Sequence, residues 1–413
     1  MRITGDRAVT SQSVPGLWRR LMFQALSHID DGFLVIEENG QTWEFGDRDS
    51  DCRASVEIRH PAVYKEFVLG AGLGAAEAYA MGLWDSHDLT KVVQVFARNL
   101  KSLERRGFLS GLRKTLNWLD HKFNRNTVNK ARTNIAAHYD LGNELFEQFL
   151  DPSMMYSSAM YPSAAASLED AQTFRLHRIC QKLELKPSDH LLEIGTGWGG
   201  MALFAAKHYG CKVTTTTISN EQFEYTRKRV AEAGLEDQVT LLMEDYRHLN
   251  GQYDKLVSLE MIEAVGHEYL GTYFEKCGAL LKPQGSMLLQ AITIADQRYD
   301  YYRRNVDFIQ KYIFPGGALP SVSRLTYEVS RMSDMTVKHL EDFGQHYAHT
   351  LKDWRDRFNR SSETLLNLGY EETFQRLWNY YFAYCEGGFR ERNIGVAQLV
   401  LTKPQNRQEP ILP

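Results

Sequence analysis

Beyond residue 190 the apolar residues follow two alternating rhythms. Short apolar runs occupy 190–194, 212–217, 239–243, 255–258, 286–294 and 395–402. Among the first five lie stretches with apolar residues every three or four positions, at 201–209, 221–233 and 269–281. Runs of strand length alternating with helical periodicity predict a parallel, doubly wound α/β sheet. From Asp296 to about Gly388 the alternation gives way to an aromatic-rich, mostly helical insertion ahead of the last strand.

The first hundred residues have a different pattern. Runs at 32–36 and 41–45 flank Glu37-Glu38-Asn39-Gly40, and Asn-Gly between alternating apolar residues signals a hairpin. A third extended run at 54–58 and helical patterns at 61–69 and 89–100 complete a small α+β unit. Gly70-Ala71-Gly72-Leu73-Gly74 follows a helical pattern rather than a strand, so it reads as a turn ending that helix.

Between Lys101 and Arg132 nine Lys and Arg residues face two acids, while Leu109, Leu112, Leu116, Leu119 and Phe123 form one helical stripe. This basic amphipathic helix could lie on anionic lipid, or could dock its stripe on a neighbouring domain with its charges solvated. The chain therefore divides into a 1–100 domain, a 101–132 linker helix, a 133–403 catalytic domain and a polar 404–413 tail that reads as disordered.

Composition narrows the class. At 413 residues the chain exceeds what one core usually supports, which favours two domains. No apolar run has the length of a membrane span, and the N-terminus lacks the apolar segment of a signal peptide. Five scattered cysteines with no C-x-x-C pair give neither a metal pattern nor a disulfide framework, so a reducing cytoplasm is expected. A net charge of −4 disfavours a nucleic-acid partner.

Candidate chemistry begins at Leu191-Leu192-Glu193-Ile194-Gly195-Thr196-Gly197-Trp198-Gly199-Gly200, a strand–turn–helix opening. Gly195, Gly197 and Gly200 satisfy G-x-G-x-x-G, which by itself also suits a dinucleotide. A dinucleotide site needs an acid at the end of the second strand, where this chain has Thr214-Thr215-Thr216-Thr217-Ile218-Ser219. Its acid, Glu193, lies instead two residues before Gly195. A carboxylate there suits the ammonium and sulfonium charges of S-adenosylmethionine, and Asp245 after the third strand could meet the adenine. Glu-x-Gly-x-Gly-x-Gly is the opening of class I methyltransferases, a Rossmann-like fold.

Further motifs complete a resemblance. They are His138-Tyr139-Asp140-Leu141-Gly142-Asn143, Tyr156-Ser157, Thr217-Ile218-Ser219-x-x-Gln222, Asp245-Tyr246-Arg247, Glu260-Met261-Ile262-Glu263-x-Val265-Gly266, Tyr312-Ile313-Phe314-Pro315-Gly316-Gly317 and Phe343-Gly344-x-x-Tyr347. Over about 134–403 the chain resembles the cyclopropane-fatty-acyl-phospholipid synthase family, which includes the mycolic acid methyltransferases. The resemblance implies methyl transfer from S-adenosylmethionine to the double bond of an unsaturated phospholipid acyl chain, through a carbocation. Loss of a proton from the new methyl closes a cyclopropane, and loss of another gives a methylated alkene; the alternative product is a methyl-branched or methylated unsaturated fatty acid.

By the same resemblance the cofactor contacts fall on Tyr156, Ser157, Glu193, Gly195, Gly197, Gly199, Thr217, Ser219, Gln222, Asp245 and Tyr246. The catalytic set is Glu263, Tyr347, the Ile292 backbone, Gln290 and Ser158, with Glu263, Ile292 and Tyr347 anchoring a bicarbonate base. Aromatic faces to steady the cation are offered by Tyr299, Tyr301, Tyr302, Tyr312, Phe314, Phe343 and Tyr347. Three positions depart from the family: Ser158 stands for a cysteine, Gln290 for a histidine and Ala264 for a histidine. The implied partners are membrane phospholipids, met peripherally from the cytoplasm, with a second copy of the chain carried as a candidate. No metal is implied.

Overall fold

The computed structural model describes residues 15–105 and 141–407. The chain divides into two compact units, residues 1–113 and 114–413. Most of the predicted linker helix, the residues His138, Tyr139 and Asp140, and the tail beyond 407 lie outside the described residues.

The first unit runs α1 (Pro15–Leu26), β1 (Phe33–Glu38), β2 (Gln41–Gly46), β3 (Arg53–Ile58), α2 (Val63–Ala80), β4 (Trp84–Asp85), α3 (Leu89–Arg98) and α4 (Leu100–Arg105). Its sheet has the order β2-β1-β3-β4. Strands β1 and β2 form the hairpin, closed by Glu38 opposite Gln41, with Asn39 and Gly40 at φ +50° and +77°. Strand β3 pairs parallel to β1. The glycine-rich stretch does end a helix: within Val63–Ala80 two helical segments meet at Ala71, whose backbone (φ +46°, ψ −133°) is not helical. A Cβ on Gly74 would lie 2.1 Å from the Glu66 carbonyl oxygen, so the second segment starts close against the first.

The second unit runs α5 (Asn143–Glu147), α6 (Leu168–Lys182), β5 (His190–Ile194), α7 (Gly200–Tyr209), β6 (Lys212–Thr217), α8 (Asn220–Glu232), β7 (Val239–Met243), β8 (Tyr253–Leu259), α9 (Leu270–Leu280) and β9 (Leu281–Ile294). The insertion follows as α10 (Asp296–Tyr302), α11 (Val322–Met332), β10 (Thr336–Asp342), α12 (Gly344–Arg360), α13 (Ser362–Asn367) and α14 (Glu372–Arg390), and β11 (Ile394–Thr402) closes the sheet. The strand order is β10-β11-β9-β8-β5-β6-β7. The five strands from β9 to β7 are parallel, whereas β11 pairs antiparallel with both β9 and β10.

Three features differ from the sequence reading. The sheet is mixed rather than wholly parallel, and the insertion contributes β10. That edge strand alternates exposed and half-buried positions with few apolar residues, so it leaves no apolar run to read. The start of the tail is also ordered. Gln405 N–H donates to the Pro283 carbonyl (3.2 Å) and the buried Asn406 amide to the Gln284 carbonyl (2.7 Å).

Both faces of the central strands are covered, so β5, β8 and β9 send apolar side chains to either side. Leu192, Leu256 and Leu289 join one core with Tyr273 and Phe274, while their neighbours Leu191, Val257 and Leu288 join another with Ile179 and Ala205. Helix α6 is fixed by a capping box between Ser167 and Asp170, and α8 by the Ser219 hydroxyl accepting from Gln222 N–H (3.3 Å).

Candidate active site

Strand order reverses about β5, whose neighbours are β6 on one side and β8 on the other. Such a switch point opens a crevice at the carboxyl ends of the strands. Glu193 and the glycine loop follow from β5, Thr217 and Ser219 from β6, Asp245 from β7, Glu260 and Glu263 from β8, and Gln290 and Ile292 stand in β9.

Gly195 and Gly197 have φ of +98° and +54°. A Cβ on Gly195 would press on Met261 at 3.0 Å, whereas one on Gly197 would meet nothing within 4 Å. The loop thus turns an open, side-chain-free face outward at Gly197, and Gly199 caps α7 in the left-handed conformation. Beneath it Glu193 is buried, its Oε2 accepting from the Thr215 hydroxyl at 2.6 Å. Burial, opposed only by that bond, pushes its carboxyl up to about 8. The Thr217 hydroxyl donates to Gln222 Oε1 (2.8 Å), tying the end of β6 to the start of α8.

Other predicted contacts are already engaged. Both Asp245 oxygens accept from Arg247, from its backbone N–H (3.0 Å), Nε (2.8 Å) and Nη2 (2.7 Å). Burial acts to raise the Asp245 carboxyl, but the arginine overcomes it and holds the group below its ordinary value. The Tyr246 ring packs in the core, edge-on to Tyr273 at 5.4 Å. Ser157 and Tyr156 lie on the opposite wall, Ser157 Oγ accepting from Arg175 Nη1 (2.8 Å) and the Tyr156 hydroxyl bonding that of Tyr381 (3.0 Å).

The carboxylates after β8 form the densest polar cluster. Glu260 Oε1 accepts from Ser158 N–H (3.0 Å) and Gln290 Nε2 (2.7 Å), and Oε2 from the Tyr347 hydroxyl (2.7 Å). Ile292 N–H donates to Glu263 Oε1 at 2.5 Å, while Glu263 Oε2 is buried without a hydrogen-bond partner. Burial, then the neighbouring Glu260 charge, pushes the Glu263 carboxyl up to about 8. Arg175, fully buried, also donates to Gln172 Oε1 (2.8 Å), and burial lowers it to about 10 against the pull of Glu260. Glu260 and Arg175 carried no assigned role in the sequence reading. Glu260 lay inside a quoted motif, and Arg175 had no signal beyond being a charge within a helical stretch.

Of the aromatic residues proposed for a cation, Phe314 and Tyr347 share one wall. Tyr156 lies 6.1 Å from Phe314 and 5.3 Å from Trp354, and Trp354 meets Tyr347 edge-on at 6.0 Å. Tyr299 and Tyr302 pack on His267, Tyr312 on Phe308 and Phe343 near His346, and Tyr301 is exposed.

Residues 126–399 match the family model for mycolic acid cyclopropane synthetase. The chain belongs to that family. Among its relatives, the cyclopropane-fatty-acyl-phospholipid synthase of Escherichia coli is 37% identical over 85% of this chain and 88% of that protein. The tuberculostearic acid methyltransferase UfaA1 of Mycobacterium tuberculosis is 38% identical over 80% of this chain and 79% of that protein. In structure the chain is similar to the mycolic acid cyclopropane synthase CmaA1 complexed with SAH and CTAB, at a TM-score of 0.62 and 30% identity, covering 66% of this chain and 98% of that one. As a member of this synthetase family the chain has the class I methyltransferase fold and is an S-adenosylmethionine-dependent methyltransferase. Its crevice fits that cofactor: the open face at Gly197 admits a ligand against the backbone, and the buried Glu193 carboxyl faces no cationic side chain that perturbs it.

Bicarbonate does not fit in the same way. Of the groups expected to hold it, Glu263 keeps Oε2 unpartnered, but the donors are all engaged within the protein: Tyr347 with Glu260, Ile292 N–H with Glu263, Gln290 with Glu260, and the Ser158 hydroxyl with the Ala159 carbonyl (3.0 Å). An added anion would also stand beside two carboxyl groups.

Proposed function

We propose that the chain adds a one-carbon unit from S-adenosylmethionine across the double bond of an unsaturated phospholipid acyl chain, forming a cyclopropane through a carbocation. When bound, the cofactor supplies an electrophilic methyl on a sulfonium. Glu193, the loop at Gly195, Gly197 and Gly199, Thr217, Ser219 and Gln222 would hold it at the carboxyl ends of β5 and β6. An alkene is a weak nucleophile with no proton to remove first, so the protein acts by alignment and exclusion of water. The observation that supports this reading is the meeting of an aromatic wall and the half-buried Glu260 carboxylate at Tyr347. Its ring stacks on Phe389 at 4.5 Å and its hydroxyl holds Glu260. Aromatic faces steady a nearby cation by ~0.5–2 kcal/mol each.

The test supplies methyl-labelled S-adenosylmethionine and vesicles of a mono-unsaturated phospholipid, then records the proton NMR spectrum of the extracted lipid. High-field ring protons are expected. Label in the acyl chain without ring protons would replace cyclopropanation by the second reading, a methyl-branched or methylated unsaturated product, which the likeness to a tuberculostearic acid methyltransferase favours. Among the described residues no helix is long and apolar enough to cross a membrane. We infer peripheral, reversible contact with the bilayer, to which the first unit and the basic stretch after Lys101 contribute.

A further inference from the structure

We propose that Glu260 is the catalytic base of this chain, its carboxylate standing where a bound bicarbonate would otherwise be needed. The inference rests on the methyl-transfer reading and adds the residue that receives the proton.

Three observations carry it. First, donors from three separate segments converge on this one side chain: Ser158 N–H from the loop before α6, Gln290 Nε2 from β9 and the Tyr347 hydroxyl from α12. Gln290 and Tyr347 belong to the set expected around a bicarbonate, and here both serve a carboxylate of the chain. Second, Glu260 holds a left-handed backbone (φ +51°), uncommon for a residue with a side chain, and its N–H is tied to the Gln290 carbonyl at 2.8 Å. Strain of this kind persists where surrounding bonds over-determine it, and it gathers at functional sites. Third, the donors are aligned. Lys182 Nζ donates to Gln398 Oε1 (2.7 Å), Gln398 Nε2 to Gln290 Oε1 (3.0 Å) and Gln290 Nε2 to Glu260. Each amide presents its positive end toward Glu260, and Arg175 Nη1 joins the same Gln290 oxygen at 3.4 Å.

The neighbouring Glu263 receives none of these side-chain donors and keeps Oε2 unpartnered. The two half-buried carboxyls share one site and do not both ionise. Burial pushes both upward, but the bonds from Gln290, Tyr347 and Ser158 and the Arg175 charge oppose this at Glu260, so the negative charge settles there. After methyl transfer, a C–H bond of the new methyl breaks. Its electron pair forms the bond to the cationic carbon and closes the ring, and the proton passes to a Glu260 oxygen. The neutral carboxyl returns that proton to solvent when product leaves.

The test compares the full-length wild type with Glu260→Gln and Glu260→Gly in CO₂-free buffer, with and without added bicarbonate. Glycine suits the φ of +51°, so Glu260→Gly keeps the backbone unstrained, and S-adenosylmethionine calorimetry reports whether each variant retains its fold. Wild-type turnover should be independent of bicarbonate, Glu260→Gln should lose on the order of 100-fold or more, and Glu260→Gly should regain turnover when bicarbonate is added. Independently of turnover, ¹³C NMR of labelled bicarbonate should show binding to Glu260→Gly and none to the wild type. Wild-type turnover that falls on bicarbonate removal, Glu260→Gln within a few-fold of wild type, or bicarbonate binding by the wild type would each overturn the assignment. If no lipid is methylated, the reading of function fails, and the binding measurement still decides whether Glu260 fills the anion's place.

Discussion

The buried carboxyl of Glu193 makes a prediction about stability that needs no ligand. Its side chain is 2% exposed, and burial raises its pKa from 4.5 to about 8, with the Thr215 hydroxyl as the only opposing influence. Between those values the native protein keeps a proton that the unfolded chain releases. The group's contribution is therefore fully present below about 4.5 and is lost as pH rises toward about 8. One such proton changes stability by about 1.4 kcal/mol per pH unit inside the window. From pH 5 to pH 7 the two pKa values give a loss of about 2.5 kcal/mol from this one residue. Glu193→Gln keeps the shape and an acceptor for Thr215 but cannot ionise. Urea unfolding of both proteins at pH 5, 6 and 7, followed by the fluorescence of the buried Trp198, Trp354 and Trp378, measures the difference. The variant should gain on the wild type by roughly 2.5 kcal/mol across that range. Parallel curves would mean that the carboxyl is already ionised, and the reasoning would fail. A cation brought to Glu193 favours its charged form, so S-adenosylmethionine binding at pH 7 should release up to one proton in the wild type and none in Glu193→Gln. Calorimetry in two buffers of different ionisation enthalpy reads that release directly.

Gly197→Val faces open space, so its cost to the fold is backbone strain of ~1–2 kcal/mol; S-adenosylmethionine binding should disappear from calorimetry while the circular dichroism spectrum is kept, and retained binding would remove the loop from the site. Tyr347→Phe deletes the 2.7 Å bond to Glu260, and Glu263→Ala removes the acceptor of Ile292 N–H; both should lower turnover by roughly 10- to 100-fold with cofactor affinity within a few-fold of wild type, and unchanged turnover would exclude them from the chemistry. Replacing Arg105, Arg106, Arg113 and Lys114 by Gln should weaken sedimentation with anionic vesicles by up to ~1 kcal/mol per residue; unchanged sedimentation would favour docking of that stretch on protein.

Much of the second unit was legible because parallel strands covered on both faces are rich in apolar and β-branched residues. The runs at 190–194, 212–217 and 239–243 coincide with β5, β6 and β7. Even the threonine-rich β6 reads as a strand, since β-branched side chains suit it and its buried hydroxyls find partners in His190, Glu193 and Gln222. Strand β10 was not legible, because an edge strand needs only one covered face and carries Lys338, His339, Glu341 and Asp342. Strand direction was hidden too: a run of apolar residues is the same read either way, so the antiparallel β11 looked like one more parallel strand. At the site, motifs located the residues but not their bonds. Asp245 offers a carboxylate in sequence, yet Arg247 two residues on occupies both its oxygens. Tyr246 sits within a motif, yet its ring belongs to the core. Arg175 and Lys182 gave no sign in sequence of reaching Gln290 and Gln398, since that contact joins a helix to strands far along the chain.

The arrangement around Glu260 bears on which product forms. Ring closure takes a proton from the transferred methyl, and the methylated alkene takes one from a neighbouring chain carbon. The two protons sit on carbons separated by about the length of a bond or two, each ~1.5 Å. A base that chooses between them must be held to a fraction of that distance, since misplacement by ~1 Å costs on the order of 100-fold. Glu260 is held by its left-handed backbone, three convergent donors and the bond from its own N–H to Gln290. Gln290 is fixed in turn by Gln398 and Arg175, and Gln398 by Lys182, which pairs with Glu341 on β10. If Glu260 is the base as proposed, selectivity is anchored partly in the edge of the sheet that the sequence concealed. A glutamine at 290 fits this arrangement, donating to Glu260 while accepting from Gln398 and Arg175, whereas Ser158 contributes only a backbone N–H that any residue there would supply. A neutral histidine has one donor and one acceptor nitrogen and could not replace that pattern.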